Sequence, residues 1–377
     1  MSAPTGAVAG GGLLTCAECG AAAPADARFC EACGHEFPQV AAPAAAARAE
    51  SSAASSAVDA AAAAAPDGPI PCAECGGVVD PDGYCSLCGA KAPVPRDHLV
   101  EQPQPWVGAV SDRGVRHRRN EDAMATAADE APGGRAILVV CDGVSSSENS
   151  DVASLAAARA AREVLVHSRA QGLGTDSTLL AVLSDRIEAA ADAASRAVAQ
   201  STAADHGASP PSCTFVAAVV ERDRIVAGVV GDSRAYWFPD GGEPLALTVD
   251  DSWSAEQMAL GVPRAEAESG PHAHAITRWL GVDAPDHTPR ITTAAVTSPG
   301  WLLVCSDGLW NYCSAADDLE ALLRRTAADA AGEPLATASA LVDWANAQGG
   351  HDNITVALAR LGTAAPDRQG TATSGES

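Results

Sequence analysis

Four aspartates stand at the mouths of apolar runs. Asp142 closes "AILVVCD", Asp232 follows "RIVAGVVG", Asp307 closes "WLLVCSD" and Asp352 precedes "NITVALARL". Two further acids, Glu121 and Asp122, end the polar stretch "SDRGVRHRRNEDA". A carboxylate carried to the end of a buried strand is costly to desolvate. Taken singly, each fits a turn cap, because Asp-Gly, Asp-Asn and Asp-Ser are common turn pairs. Taken together they predict a cluster whose mutual repulsion calls for hard divalent cations, Mg²⁺ or Mn²⁺ rather than zinc. Two such ions about 4 Å apart can hold and ionise a bridging water for in-line attack on phosphorus.

A second chemistry is written in the cysteines. Of the twelve, eight fall in two sets: Cys16, Cys19, Cys30 and Cys33, then Cys72, Cys75, Cys85 and Cys88. Each C-x-x-C knuckle turns two thiolates towards one ion, and a second knuckle completes a tetrahedron. Glycine follows every pair, at Gly20, Gly34, Gly76 and Gly89, as a tight knuckle needs. The pattern resembles a double zinc ribbon with two closed, structural zinc sites. A redox reading is weaker, because neither set lies in a thioredoxin-like βαβ context. Cys141, Cys213, Cys305 and Cys313 stand singly in or beside apolar segments and read as buried, unreactive thiols.

The elements that must position the acids are short β-like runs and longer helical ones. "AILVVCD", "SCTFVAAVV", "RIVAGVVGDSRAYWF", "WLLVCSD" and "NITVALARL" read as strands. "DVASLAAARAAREVLVHSRA" and "STLLAVLSDRIEAAADAASRAVAQ" read as two long helices, with two more at "AADDLEALLRRTAAD" and "PLATASALVDWANAQ". Strands and helices in separate blocks indicate an α+β layered domain. The expected organisation is zinc ribbon 1 at 13–38, a disordered Ala/Ser/Pro linker at 39–69, zinc ribbon 2 at 70–92 and a linker at 93–104. A large domain follows at 105–362, then a disordered tail at 363–377.

In that large domain the stretches "SDRGVRHRRNEDA", "VVCDGVSSSENSDVAS", "GVVGDSRAYW", "LTVDDSW", "AITRWLG", "LLVCSDGLW" and "HDNITVAL" occur in the order found in metal-dependent protein serine/threonine phosphatases of type 2C, the PPM family. One such stretch is weak; seven in order are specific. The resemblance implies an αββα four-layer sandwich with metals at one edge. It also implies hydrolysis of phosphoserine and phosphothreonine on proteins phosphorylated by serine/threonine kinases.

By position, the resemblance makes Asp142 the bridge between two metals, with Asp307 and Asp352 completing the ligands of the first metal. Glu121, through water, and the Gly143 carbonyl serve the second metal. Asp122 orients a water, and Asp232 shares a third, weaker ion with Asp307. Three departures stand out. His117, flanked by Arg116, Arg118 and Arg119, replaces the arginine that grips the substrate phosphate, so Arg116, His117 and Arg118 are the candidates for that task. Ser145 and Ser146 replace a Gly-Gly pair, stiffening the loop or adding hydroxyls near the metals. Asn311, a neutral and poorer ligand, replaces an aspartate at the third ion. Histidines His272, His274 and His287 read as surface or turn residues.

Composition bounds the partners. The formal net charge of −24 disfavours nucleic acid and anionic membranes as non-specific partners. The Ala run near residue 60 is too short and weakly apolar for a membrane span, and no basic residue precedes Arg28 as a signal peptide would require. With the reduced cysteine pattern, this gives the expectation of a cytoplasmic protein. The ribbons, with no catalytic residue nearby, are expected to dock partners or to inhibit. A phosphatase-like but inactive adaptor is the alternative, and the complete set of carboxylates argues against it.

Overall fold

The computed structural model describes residues 13–15, 22–24 and 71–362, apart from 73, 74, 82, 91, 93, 170–174, 203–206 and 271. The first ribbon's cysteines, the linker at 39–69 and the tail at 363–377 lie outside the described residues. The chain forms two units, Met1–Gly68 and Pro69–Ser377. In the first, β1 (Leu13–Thr15) pairs antiparallel with β2 (Ala22–Pro24).

The second unit carries the remaining elements. The strands are β3 (His98–Gln104), β4 (Val107–Asp112), β5 (Ala123–Ala128), β6 (Arg135–Cys141), β7 (Ser212–Cys213), β8 (Phe215–Glu221), β9 (Arg224–Val230), β10 (Arg234–Pro239), β11 (Leu245–Ala246), β12 (Leu280–Gly281), β13 (Arg290–Ala295), β14 (Gly300–Cys305) and β15 (Ile354–Leu361). The helices are α1 (Ser150–His167), α2 (Asp176–Ser201), α3 (Trp253–Ala259), α4 (Arg264–Ala267), α5 (Asp307–Trp310), α6 (Ala316–Asp329) and α7 (Pro334–Ala347). Two antiparallel sheets result, ordered β11-β10-β14-β15-β4-β3 and β13-β9-β8-β6-β5.

Alternation along the strands builds the layers. In β6, Ile137, Val139 and Cys141 face α1 and α2, whereas Ala136, Leu138 and Val140 face the other sheet. Both faces are covered, so the strand reads as a continuous apolar run rather than an alternating one. Helix α1 lays Ala153, Ala157, Ala161 and Leu165 on the sheet at helical spacing. On the outer face of the six-stranded sheet, Leu319, Leu322 and Leu323 of α6 and Leu341, Val342 and Ala345 of α7 pack over β14 and β15. The architecture is the expected αββα sandwich.

Two expectations are corrected. Residues 98–104, read as linker, form edge strand β3, paired to β4 with His98 opposite Asp112. Its half-exposed, polar sequence, with Pro103 inside, is what an edge strand tolerates and a central one does not. The run "RIVAGVVGDSRAYWF" is two strands, not one. The chain leaves β9 in one sheet and enters β10 in the other through Gly231, whose φ of +101° suits glycine.

Candidate active site

The carboxylates gather at one edge of the sandwich, where strands of both sheets end. Asp142 follows β6, Asp232 sits in the crossing from β9 to β10, Asp307 follows β14 as the first residue of α5, and Asp352 precedes β15. Glu121 and Asp122 lie just before β5. The glycines beside them are needed for closeness: a Cβ on Gly143 would lie 2.6 Å from the Glu121 carbonyl oxygen, and one on Gly308 2.0 Å from that of Asn353.

Asn353, buried beside Asp352, ties the parts together. Its Oδ1 accepts from the Glu121 amide at 2.7 Å, and its Nδ2 donates to the carbonyls of Arg113 at 2.7 Å and Arg119 at 3.1 Å. Asp122 is fully buried, with Oδ2 accepting from Ser306 and Thr355, each at 2.7 Å. Its Oδ1 has no partner among the described residues, and neither has the buried Oδ1 of Asp307, although Asn311 donates to Asp307 Oδ2 at 2.9 Å. Such orphaned acceptors are costly unless a cation or water meets them.

Crowding is visible in the electrostatics. Burial, then the charges of Asp122, Asp307, Asp352 and Asp232, pushes the Asp142 carboxyl well above the usual range. Burial, then Asp232 and Asp352, does the same to Asp307. Asp122 is pushed up to about 6, by burial first, and Asp232 to about 7, by burial and then Asp250. Glu121 goes the other way: burial opposes ionisation, but hydrogen bonds from Ser150, Arg119 and Ser145 outweigh it. Ser145, at the first position of the replaced Gly-Gly pair, donates to Glu121 Oε2 at 3.0 Å. Acidic groups facing one another in this way fit divalent cations. Among the described residues, only Cys72, Cys75, Cys85 and Cys88 bring ligand atoms all within 4.8 Å of one another. The carboxylates are spread more widely, as ligands shared between two ions can be.

The phosphate candidates occupy the next cleft, an open space of about 540 Å³ lined by Arg116, His117, Arg118, Arg119, Glu121 and Ser145. His117 is drawn into the acidic cluster, 3.2 Å from Asp352 and 3.5 Å from Glu121. Arg119 is held by Glu121 at 2.8 Å, while Arg116 and Arg118 are exposed. A second cleft, of about 380 Å³, opens on the other side against Asp307, Asn311, Tyr312, His351 and Asp352, and His274 lines it. His274 is an exposed turn residue, as expected, and also forms part of the wall of this cleft. His287 is a surface residue, 3.0 Å from Asp192.

In the second ribbon the thiols approach to 3.4 Å between Cys75 and Cys88, 3.5 Å between Cys75 and Cys85 and 3.7 Å between Cys72 and Cys88. Backbone amides of Cys88 and Leu87 pull the Cys85 thiol down to about 6, towards the thiolate a metal needs. The set fits one tetrahedral zinc. The four single cysteines are free, with Cys141, Cys213 and Cys305 buried and Cys313 half-buried.

Comparison with known proteins agrees with this geometry. Residues 113–344 match the family model for protein phosphatase 2C, and residues 16–89 that for the double zinc ribbon. The chain is 29% identical over 252 residues to the serine/threonine phosphatase stp of Listeria innocua, covering 66% of this chain and 92% of that protein. It is 29% identical to the serine/threonine protein phosphatase PstP of Mycobacterium tuberculosis, of which it covers 44%. The crystal structure of that phosphatase superposes with a TM-score of 0.53 at 27% identity, covering 70% of this chain and 100% of the other. The PstP catalytic domain in complex with two manganese ions gives 0.50 at 26% identity, covering 68% of this chain and 97% of the other.

Proposed function

Because the chain belongs to the protein phosphatase 2C family, we propose that it is a metal-dependent protein serine/threonine phosphatase acting on phosphoserine and phosphothreonine. The observation that carries this reading is the inward-facing set Asp142, Asp307, Asp352 and Asp232, with Asp307 Oδ1 left unpartnered among the described residues. Two Mn²⁺ or Mg²⁺ ions, when bound, supply a nucleophilic water at neutral pH and neutralise charge on the phosphoryl group. Asp142 would bridge them, Asp307 and Asp352 would hold the first, and Glu121 with the Gly143 carbonyl would hold the second. Asp122, braced by Ser306 and Thr355, would orient the attacking water. Asp232 and Asp307 would share a third ion, weakened by the neutral Asn311.

Arg116 and Arg118 would grip the phosphate from the adjoining cleft, where a guanidinium offers a fixed fork of donors. His117, held between Glu121 and Asp352, would set those two carboxylates against each other. The ribbons, with structural zinc, would dock phosphoprotein partners. Leu87, 78% exposed between Cys85 and Cys88, gives such a surface an apolar tip. Thiolate zinc ligands would suit a reducing compartment such as the cytoplasm. Among the described residues, no helix is long and apolar enough to cross a membrane.

The test is phosphate release from p-nitrophenyl phosphate and from a phosphoserine peptide across a manganese titration. Wild type should turn over both, and Asp307→Ala neither. Equal inertness of the two proteins at every Mn²⁺ and Mg²⁺ concentration would leave an inactive adaptor as the better description.

A further inference from the structure

We propose that His274 is the general acid of the reaction, giving its proton to the serine or threonine oxygen as that oxygen leaves phosphorus. The proposal rests on the phosphatase reading and adds a catalytic group to it. The backbone around His274 is fixed: Ala273 is buried, the Ala273 amide donates to Gly270 at 3.1 Å, and the Ala275 carbonyl accepts from the Trp253 amide at 2.9 Å. The His272 ring packs edge-on to Trp253 at 6.3 Å. Bolted on both sides to the start of α3, the turn leaves the His274 side chain lining the cleft that Asp307 and Asp352 border.

His117 is engaged by Asp352 and Glu121, and the ring of His351, which lines the same cleft as His274, packs edge-on against Tyr312 at 6.1 Å. His274 makes no hydrogen bond among the described residues, so its N–H groups are available to a substrate oxygen. Asp352 links the two clefts, because it lines the one that holds His274 and lies 3.2 Å from His117 of the arginine-lined one.

The step balances simply. The water oxygen bonds to phosphorus, the phosphorus–oxygen ester bond breaks with its electron pair going to the side-chain oxygen, and that oxygen takes a proton from the His274 imidazolium. Neutral His274 then regains through solvent the proton that the attacking water released. The products are the free hydroxyl and inorganic phosphate. A serine or threonine alkoxide is a poor leaving group and needs this proton, whereas p-nitrophenolate leaves as a stable anion.

Leaving-group dependence therefore reads the role directly. With saturating Mn²⁺, His274→Ala and His274→Gln should lower kcat on a phosphoserine peptide about 100-fold, at the low end for general acid catalysis, with p-nitrophenyl phosphate turnover within about twofold of wild type. Loss of both activities together would overturn the proposal by showing a structural or ligand role, and loss of neither would overturn it outright. Wild type inert on both substrates would instead bring down the phosphatase reading itself. The glutamine variant keeps bulk and hydrogen bonding, so a failure to fold in the alanine variant does not decide the outcome.

Discussion

If the acidic edge is built for cations, stripping them should leave a protein that is strained at neutral pH and relieved by acid. Asp232 is buried and its carboxyl is pushed from the usual 3.8 to about 7, by burial and then by Asp250. A carboxyl with a raised folded pKa binds its proton more tightly folded than unfolded. Its cost to folding is absent below 3.8, grows as pH rises, and is complete above about 7. At pH 8 that cost is about 4 kcal/mol for Asp232, of which about 3 kcal/mol is relieved by pH 5. Asp122, pushed to about 6, acts in the same direction and adds about 1 kcal/mol of relief over that range. Asp142 and Asp307 are shifted the same way, and because these groups interact their costs are not additive.

The net charge of −24 also relaxes on acidification, so the informative quantity is a difference. Urea unfolding of wild type and Asp232→Asn should be compared in EDTA between pH 8 and pH 5. The variant should be the more stable at pH 8, by up to about 4 kcal/mol, and the gap should close to roughly 1–2 kcal/mol at pH 5. Saturating Mn²⁺ should stabilise wild type at pH 8, by about 2.7 kcal/mol at 100 times its dissociation constant. A gap that stays constant with pH, or a wild type indifferent to Mn²⁺, would refute the reasoning.

Two further outcomes follow from contacts around the centre. Arg234 is buried with its guanidinium 3.5 Å from the centroid of the Trp310 ring and bound to Asp250 at 2.6 Å. Asp250→Ala leaves that cation unpaired and should cost about 3–5 kcal/mol in urea unfolding; a loss near zero would mean that water reaches the site. In Gly308→Ala, the new Cβ meets the Asn353 carbonyl oxygen and must part Asp307 from Asp352. Thermal unfolding should show a loss of about 1–3 kcal/mol, and the manganese needed for half-maximal activity should rise. Unchanged values for both would show that the loop yields freely.

The parts of this architecture that are legible in the sequence are those where one local pattern has one physical cause. Buried strands covered on both faces read as apolar runs, α1 and α2 read as helices from their spacing, and knuckle cysteines read as a zinc site. Edge strand β3 was not legible, because half its residues face water and its hydrogen bonds to β4 are set by a distant partner. The break at Gly231 was hidden for the opposite reason: β9 and β10 are equally apolar, and nothing local says that they belong to different sheets. That the turn carrying His274 borders the cleft was illegible, because it depends on Trp253 meeting Ala275, a contact made by the tertiary fold rather than by the turn's own sequence.

The same reasoning explains why the acids were legible at all. Each aspartate follows or precedes a run that must be buried, so the strand fixes where the carboxylate emerges, and the neighbouring glycine lets a second chain segment come within contact. Asp142 is carried by one sheet, Asp307 and Asp352 by the other, and Asp232 by the crossing between them. The hydrophobic layer between the sheets holds these ends together while their charges push them apart. A shared cation turns that repulsion into attraction, so the site is also a clamp across the open edge of the sandwich. Metal affinity and the packing of the two sheets at that edge are therefore one linked equilibrium. Substitutions in the inter-sheet layer near Val140 and Val304, far from any substrate, should weaken the metal centre before they unfold the domain.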